Sequence, residues 1–223
     1  MENLEIQPCG EGTNIGYWEK VLEAPTPAYH ELFQAEKQYI RENISHDAFV
    51  LDIGCGEGRN MQSILENTPN VCGIDMDPKA VEDTKKRFAG IDTVQVVYAS
   101  ATELPFTDET FDAVTFLMIL PNLEENKVPG IKESARVLKK DGKLILSTFA
   151  ETAFDERMKV YKQVGVPINR IEGATFYFEG NITSEQSSLE QLTELGAQAG
   201  LELTDHIKVG DIAYICTFKK KFY

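Results

Sequence analysis

Val50-Leu51-Asp52-Ile53-Gly54-Cys55-Gly56-Glu57-Gly58-Arg59-Asn60 reads as a short buried strand, three alternate glycines and the start of a helix. Glycine is required where a bulky ligand approaches the backbone or where a tight turn takes φ/ψ values that a Cβ forbids. A dinucleotide-binding turn follows G-x-G-x-x-G/A. Gly54 and Gly56 fit that pattern, but Arg59 stands at its third position, where a large side chain obstructs helix–strand packing. No Gly-Lys-Ser/Thr follows, so a P-loop is absent as well. What remains is D-x-G-x-G-x-G, which puts the Asp52 carboxylate beside the turn, where it can meet an ammonium group directly or through water. That suits a ligand with an amino-acid end better than a pyrophosphate.

Moving outward, Val71-Cys72-Gly73-Ile74-Asp75 reads as the next buried strand. Its terminal Asp75 has the position and spacing of an acid that grips ribose hydroxyls. Asp77, just before Pro78, serves as the cap of the following helix. That leaves Asp75 available for a ligand.

The rest of the chain alternates in the same way. The pattern predicts strands at Phe49–Ile53, Val71–Ile74, Val94–Tyr98, Phe111–Phe116 and Lys143–Phe149. It predicts helices at about Ala28–Asn43, Asn60–Glu66, Ala80–Phe88 and Lys127–Leu138, the last closed by Asp141-Gly142. Strands alternating with helices imply a mostly parallel sheet covered on both faces. The aromatic stretch 150–184 breaks this rhythm and reads as a cap-like insertion. A helix at Ser188–Ala199 and two strands, Leu201–Lys208 and Ala213–Phe218, follow. Gly210-Asp211 between those strands fits a hairpin, so they are expected to be antiparallel. The chain therefore reads as one domain over 1–223, with an N-terminal helical lid over 1–45.

These motifs resemble those of the class I methyltransferases that use S-adenosylmethionine (SAM), of the small-molecule type that includes the ubiquinone and menaquinone C-methyltransferases. The resemblance covers residues 45–150 well. It extends to Ala101-Thr102-Glu103-Leu104-Pro105-Phe106, Phe111-Asp112-Ala113-Val114 and Arg136-Val137-Leu138-Lys139-Lys140-Asp141-Gly142-Lys143-Leu144. It implies a Rossmann-like sheet of seven mostly parallel strands with helices on both faces and an antiparallel C-terminal strand. By resemblance, Asp52, Gly54, Cys55, Gly56 and Gly58 line the methionine part of SAM. Asp75 holds the ribose and Met76 packs on the adenine. Ser100, Ala101 and Thr102 flank the adenine edge, and Leu117 lies near the sulfonium. The implied activity is transfer of a methyl group to an O, N, C or S atom of an acceptor.

The chain departs from that family at two places. Ala99-Ser100-Ala101 stands where many members have Gly-Asp-Ala, so the adenine amino group meets a hydroxyl rather than a carboxylate. Pro121-Asn122 stands where many carry a histidine pair, and no general base is assigned there. A SAM-binding module without transfer activity and a nicotinamide-dependent oxidoreductase are the alternatives.

For the acceptor, Tyr17, Trp18 and His30 are candidates on the lid, and Tyr161 and Tyr177 in the insertion. Their plainer reading is packing. Arg59 and Arg170 could hold an acidic group of the substrate, but single arginines are usually solvated, and Ser147 and Ser184 receive no role. None of the three histidines has metal-ligand spacing, so no metal is expected. With 36 acidic and 22 basic residues the net charge is −14, which repels phosphate backbones and anionic lipid. A small-molecule acceptor is expected, without nucleic acid or membrane as partner. Lys219-Lys220-Lys221 reads as a solubilising tail. Four cysteines without a CxxC pair, and an N-terminus unlike a signal peptide, suit the cytoplasm.

Overall fold

The structure is a computed structural model that describes residues 20–179 and 182–221. Tyr17 and Trp18 lie outside the described residues. Helix α1 (Pro27–Asn43) opens with Pro27 in its first turn, where the missing N–H costs nothing. Then follow β1 (Val50–Ile53), α2 (Arg59–Leu65), β2 (Val71–Asp75), α3 (Pro78–Arg87), β3 (Val94–Tyr98) and β4 (Phe111–Leu117). Two short 3-10 turns lead into α4 (Lys127–Val137), and β5 is Leu138–Phe149. The Asp77 carboxylate caps α3 by accepting from the N–H groups of Lys79 and Ala80.

The main sheet has the order β3-β2-β1-β4-β5-β10-β9, where β9 is Leu201–Val209 and β10 is Ala213–Lys220. The first five strands run parallel, and β10 is antiparallel to both β5 and β9. The expected seven-stranded sheet and C-terminal hairpin are present. The strand order reverses between β1 and β4, which opens a crevice at their carboxyl ends, the place where open α/β sheets bind ligands.

Alternation along each strand divides the core in two. Val50, Ala113, Ile145 and Ile215 pack on the side that carries α1. Leu51, Val114, Leu144, Leu146 and Cys216 pack on the other. By the same alternation, Asp52, Thr115 and Ser147 fall on the α1 side. Asp52 is in register with Thr115, and Leu117 with Ser147. All three polar residues are buried. A polar stripe therefore crosses an otherwise apolar face directly under α1.

Helix α4 ends earlier than the sequence predicts. Leu138 is already extended, at φ −70° and ψ 137°, and pairs with Phe111, so β5 begins there. Its fully buried side chain belongs to the sheet's core, and this packing outweighs the continuing helical pattern.

The insertion contains α5 (Phe154–Val164) and a small antiparallel sheet of β6 (Ile168–Glu172), β7 (Thr175–Phe178) and β8 (Thr183–Ser184). Tyr161 packs edge-on against Phe176 and Phe178, at ring-centroid distances of 5.0 and 5.2 Å, and all three are buried. As placed, Tyr161 is core of the cap and presents no surface to an acceptor. Arg157 is also fully buried, its guanidinium 4.4 Å from the Phe176 ring centre and 4.7 Å from that of Phe149. Its N–H groups donate to oxygens of Ala174, Ser184, Gln186 and Tyr161. Helix α6 (Leu189–Gln198) follows with a reciprocal Ser188/Gln191 capping box.

Candidate functional site

The turn after β1 takes three left-handed conformations in a row of alternate residues, with φ of 69°, 51° and 81° at Gly54, Gly56 and Gly58. Gly54 has a second requirement. A Cβ there would stand 2.2 Å from Cδ1 of Ile119, so a side chain at this position would force the end of the Ile119 side chain to move. At Gly56 a Cβ would meet nothing within 4 Å, which leaves an open cradle above the backbone.

Neighbouring elements pin this turn. The N–H of Gly56 donates to Asp75 Oδ2 at 2.8 Å, and Thr84 Oγ1 donates to the Gly56 carbonyl. Arg87 donates to the Glu57 carbonyl. Asp75 Oδ1 also accepts from the Asp77 N–H, at 2.9 Å. The sequence reading left Asp75 free of local duties. In the structure both its oxygens already brace backbone, and each keeps a further lone pair for a ligand. Burial raises the Asp75 pKa, an effect the two backbone hydrogen bonds oppose.

Asp52 lies beneath the turn and is 1% exposed. Its Oδ1 accepts from Thr115 Oγ1 at 2.6 Å, while Oδ2 is buried without a hydrogen-bond partner among the described residues. Burial pushes its pKa up from 3.8 to about 7, against the Thr115 hydrogen bond and the Arg59 charge, with Asp75 and Glu36 adding to the rise. A buried carboxylate oxygen without a donor is costly and marks a site that awaits one.

Above these groups lies a cavity of about 440 Å³, lined in part by Gly54, Cys55, Gly56, Asp75 and Leu117. These five sequence-predicted residues are brought together. Gly58 caps α2 beside them. Met76, 50% exposed, sits one residue beyond Asp75. Ser100 and Thr102 bond to each other through their hydroxyls at 2.8 Å, after β3. The cavity's lining does not include Asp52, Gly58, Met76, Ser100, Ala101 or Thr102. His30 is exposed on α1 and also stands outside the lining. Tyr177 is covered by the Arg170 guanidinium, 3.9 Å from its ring centre. Cys55 is among the lining residues, but its sulfur lies against Gly73 of β2 and burial raises its pKa well above the usual thiol range, so it is no nucleophile.

Sequence reasoning missed a second group of residues. Arg59, read as solvated, donates to the fully buried carboxylate of Glu36 at 2.7 Å, and its guanidinium lies 4.4 Å from the Phe33 ring centre. Ser147, given no role, donates to the other Glu36 oxygen at 2.6 Å. Its hydroxyl also accepts from the N–H of Met118, which holds the left-handed φ of 58° rare for a side-chain-bearing residue. The signal was present in α1, where Glu36 interrupts the stripe Tyr29, Leu32, Tyr39, Ile40 at helical spacing. An acid inside an apolar stripe has a buried partner.

Beyond the cavity, the cap is tied to the segment after β4. Asn122 donates to the Thr183 carbonyl, Thr183 Oγ1 to Glu124, and the N–H of Glu185 to the Pro121 carbonyl. Lys127 pairs with Glu185. Asn122, at the position where the family's histidine pair is absent, thus has a structural duty.

Residues 51–146 match the model of a methyltransferase domain family. A demethylmenaquinone methyltransferase of Clavibacter sepedonicus is 36% identical over 101 residues, covering 45% of this chain and 41% of that protein. The chain thus spans less than half of that relative. Among solved structures, a Pyrococcus horikoshii OT3 protein superposes with a TM-score of 0.75 at 19% identity, over 95% of this chain and all of that one. A Burkholderia thailandensis 1,6-didemethyltoxoflavin-N1-methyltransferase, solved with 1,6-didemethyltoxoflavin and S-adenosylhomocysteine, gives 0.68 at 16% identity, covering 99% of each chain. At these identities the structural matches speak for the fold. The segment that matches the methyltransferase domain family carries the glycine turn, both carboxylates and the whole of β4.

Proposed function

We propose that the protein transfers the methyl group of SAM to a small-molecule acceptor. The observation that carries this reading is the unpartnered, fully buried Asp52 oxygen under an open glycine cradle, beside Asp75. An ammonium group supplies the missing donor to Asp52, and ribose hydroxyls supply donors to the remaining lone pairs of Asp75. The residues present therefore fit an amino-acid nucleoside. SAM supplies a methyl group on positively charged sulfur, already activated for attack. The protein's part is then to orient, and to keep water out.

Gly54, Cys55, Gly56 and Gly58 let the methionine part approach the backbone. Met76 offers its thioether surface to the adenine, with Ser100, Ala101 and Thr102 at the adenine edge. Leu117, with Phe33, Met118 and Ile119, gives the reacting end an apolar wall. Two carboxylates near the cationic cofactor add electrostatic preference for it over its neutral product.

The net charge of −14 favours a small acceptor over nucleic acid. No helix among the described residues is long and apolar enough to cross a membrane. The three cysteines described are free and buried, which suits a reducing compartment such as the cytoplasm. Tyr177 and His30 remain candidates for contact with the acceptor.

Calorimetric titration with SAM, S-adenosylhomocysteine and NAD, on the protein and on Asp75→Ala, tests this reading. Binding of both sulfur nucleosides at about micromolar Kd, lost in the variant, is the expected result. Silence with both, or heat with NAD, overturns the cofactor assignment. Acceptor screens by S-adenosylhomocysteine formation then test transfer.

A further inference from the structure

We propose that Glu36 is a positioning residue for the transfer site, fixing the seat of α1 and the shape of the SAM crevice through one buried carboxylate. The inference rests on the proposed function above and extends it to a residue that makes no contact with the cofactor in that reading.

Three elements meet at this side chain, and two of them, α1 and α2, wall the crevice. Its Oε2 accepts from Arg59, the first residue of α2 and the one that follows the last turn glycine. Its Oε1 accepts from Ser147 on β5. The Ser147 hydroxyl shares the N–H of Met118 with its own backbone carbonyl, each at 3.0 Å, and Met118, at its left-handed φ, lies in the segment Leu117-Met118-Ile119 along the cavity. Phe33, one helical turn before Glu36, lies under the Arg59 guanidinium and lines the same cavity. Arg59 reaches solvent, at 32% side-chain exposure against 0% for Glu36.

Stability does not account for this arrangement. A buried ion pair gains little or nothing over an apolar pair of the same volume, while breaking it is costly. At a position flanked by Leu32, Tyr39 and Ile40, an apolar residue would satisfy α1's packing alone. What the carboxylate adds is direction: it fixes two donors at once, on elements that come from opposite sides of the strand-order reversal. It also stands among the charges that face Asp52, together with Arg59 and Asp75. Changing Glu36 therefore alters both the walls of the site and the field at its buried acid.

The test uses the full chain and S-adenosylhomocysteine, with Glu36→Gln, Arg59→Gln, the double variant and Ser147→Ala. Glu36→Gln keeps the shape and loses the charge. Affinity is expected to fall about tenfold in each single variant of the pair and no further in the double, because the two act as one unit. The midpoint of affinity against pH is also expected to move down in Glu36→Gln, since Arg59 then faces Asp52 unopposed. A purely structural role moves neither the coupling nor the midpoint. Equal affinity in wild type and Glu36→Gln, or losses that add in the double variant, overturns the inference. If Glu36→Gln fails to fold, Ser147→Ala decides, because it removes the second donor to Glu36 and leaves both the Arg59 pair and the backbone bond from Met118 to the Ser147 carbonyl in place: an unchanged affinity there overturns the inference. Should the wild type bind no S-adenosylhomocysteine, it is the functional reading that has failed.

Discussion

Replacing Asp52 by Asn separates the cost of the buried acid from its use. Asn keeps an acceptor for Thr115 and removes the titration. In the folded protein Asp52 ionises near pH 7 instead of 3.8. Three pH units at about 1.4 kcal/mol each come to about 4 kcal/mol, the penalty that the folded protein carries when Asp52 is charged. The sign follows from proton counting. Between the two pKa values the folded chain holds a proton that the unfolded chain has lost, so stability falls as pH rises through this window and levels off above about 7. The Asn variant lacks this slope. Its stability relative to wild type therefore improves by about 3 kcal/mol between about pH 5 and pH 8. The unpartnered Asn N–H adds a constant cost of about 1–3 kcal/mol, which cancels in the comparison of the two pH values. Urea unfolding of both proteins at each pH measures the difference. A relative stability that stays flat within about 0.5 kcal/mol would refute the picture of a buried, donor-starved carboxylate. In wild type, SAM affinity should rise over the same window as Asp52 becomes charged, and the Asn variant should lose that rise.

Two further outcomes follow from geometry. Gly54→Ala puts a Cβ 2.2 Å from Ile119 at a φ of 69°, so S-adenosylhomocysteine affinity should drop at least about tenfold and stability by about 1–2 kcal/mol. Calorimetry and urea unfolding check both, and unchanged affinity would mean that the close approach of Ile119 to Gly54 is not needed. Arg157→Lys removes a planar guanidinium held between Phe149 and Phe176 and donating to four residues, so unfolding free energy should fall by about 2–4 kcal/mol. A loss under about 1 kcal/mol would show that the ammonium finds equivalent partners.

The parallel sheet was readable because its strands are short, apolar and separated by helices of clear period. The turn at Gly54–Gly58 was readable because its conformations demand glycine. Asp52 stood out by its place two residues ahead of the glycines, and Asp75 by its place at the end of a strand. The start of β5 was missed because Leu138 continues a helical pattern that tertiary packing overrides. The cap's three strands were missed because each is short, and Tyr161, Phe176 and Phe178 look alike whether they wall a pocket or pack on one another. The pairing of Glu36 with Arg59 and Ser147 spans 23 and 111 residues of chain. Each member alone looks ordinary, and only strand alternation combined with the fold shows that Asp52, Thr115 and Ser147 form one stripe beneath α1.

The bonds between the cap and the segment after β4 divide the molecule's labour. Pro121, Asn122, Glu124 and Lys127 hold Thr183 and Glu185, nearly sixty residues onward. The segment they continue supplies Leu117, Met118 and Ile119 to the cavity. Cap and cavity wall are thus one frame, while the carboxylates and glycines proposed to hold the cofactor hang from β1 and β2. Sequence change in the cap can reshape what the site admits from outside and leave the grip on the cofactor untouched, so the two halves of the reaction are free to diversify at different rates.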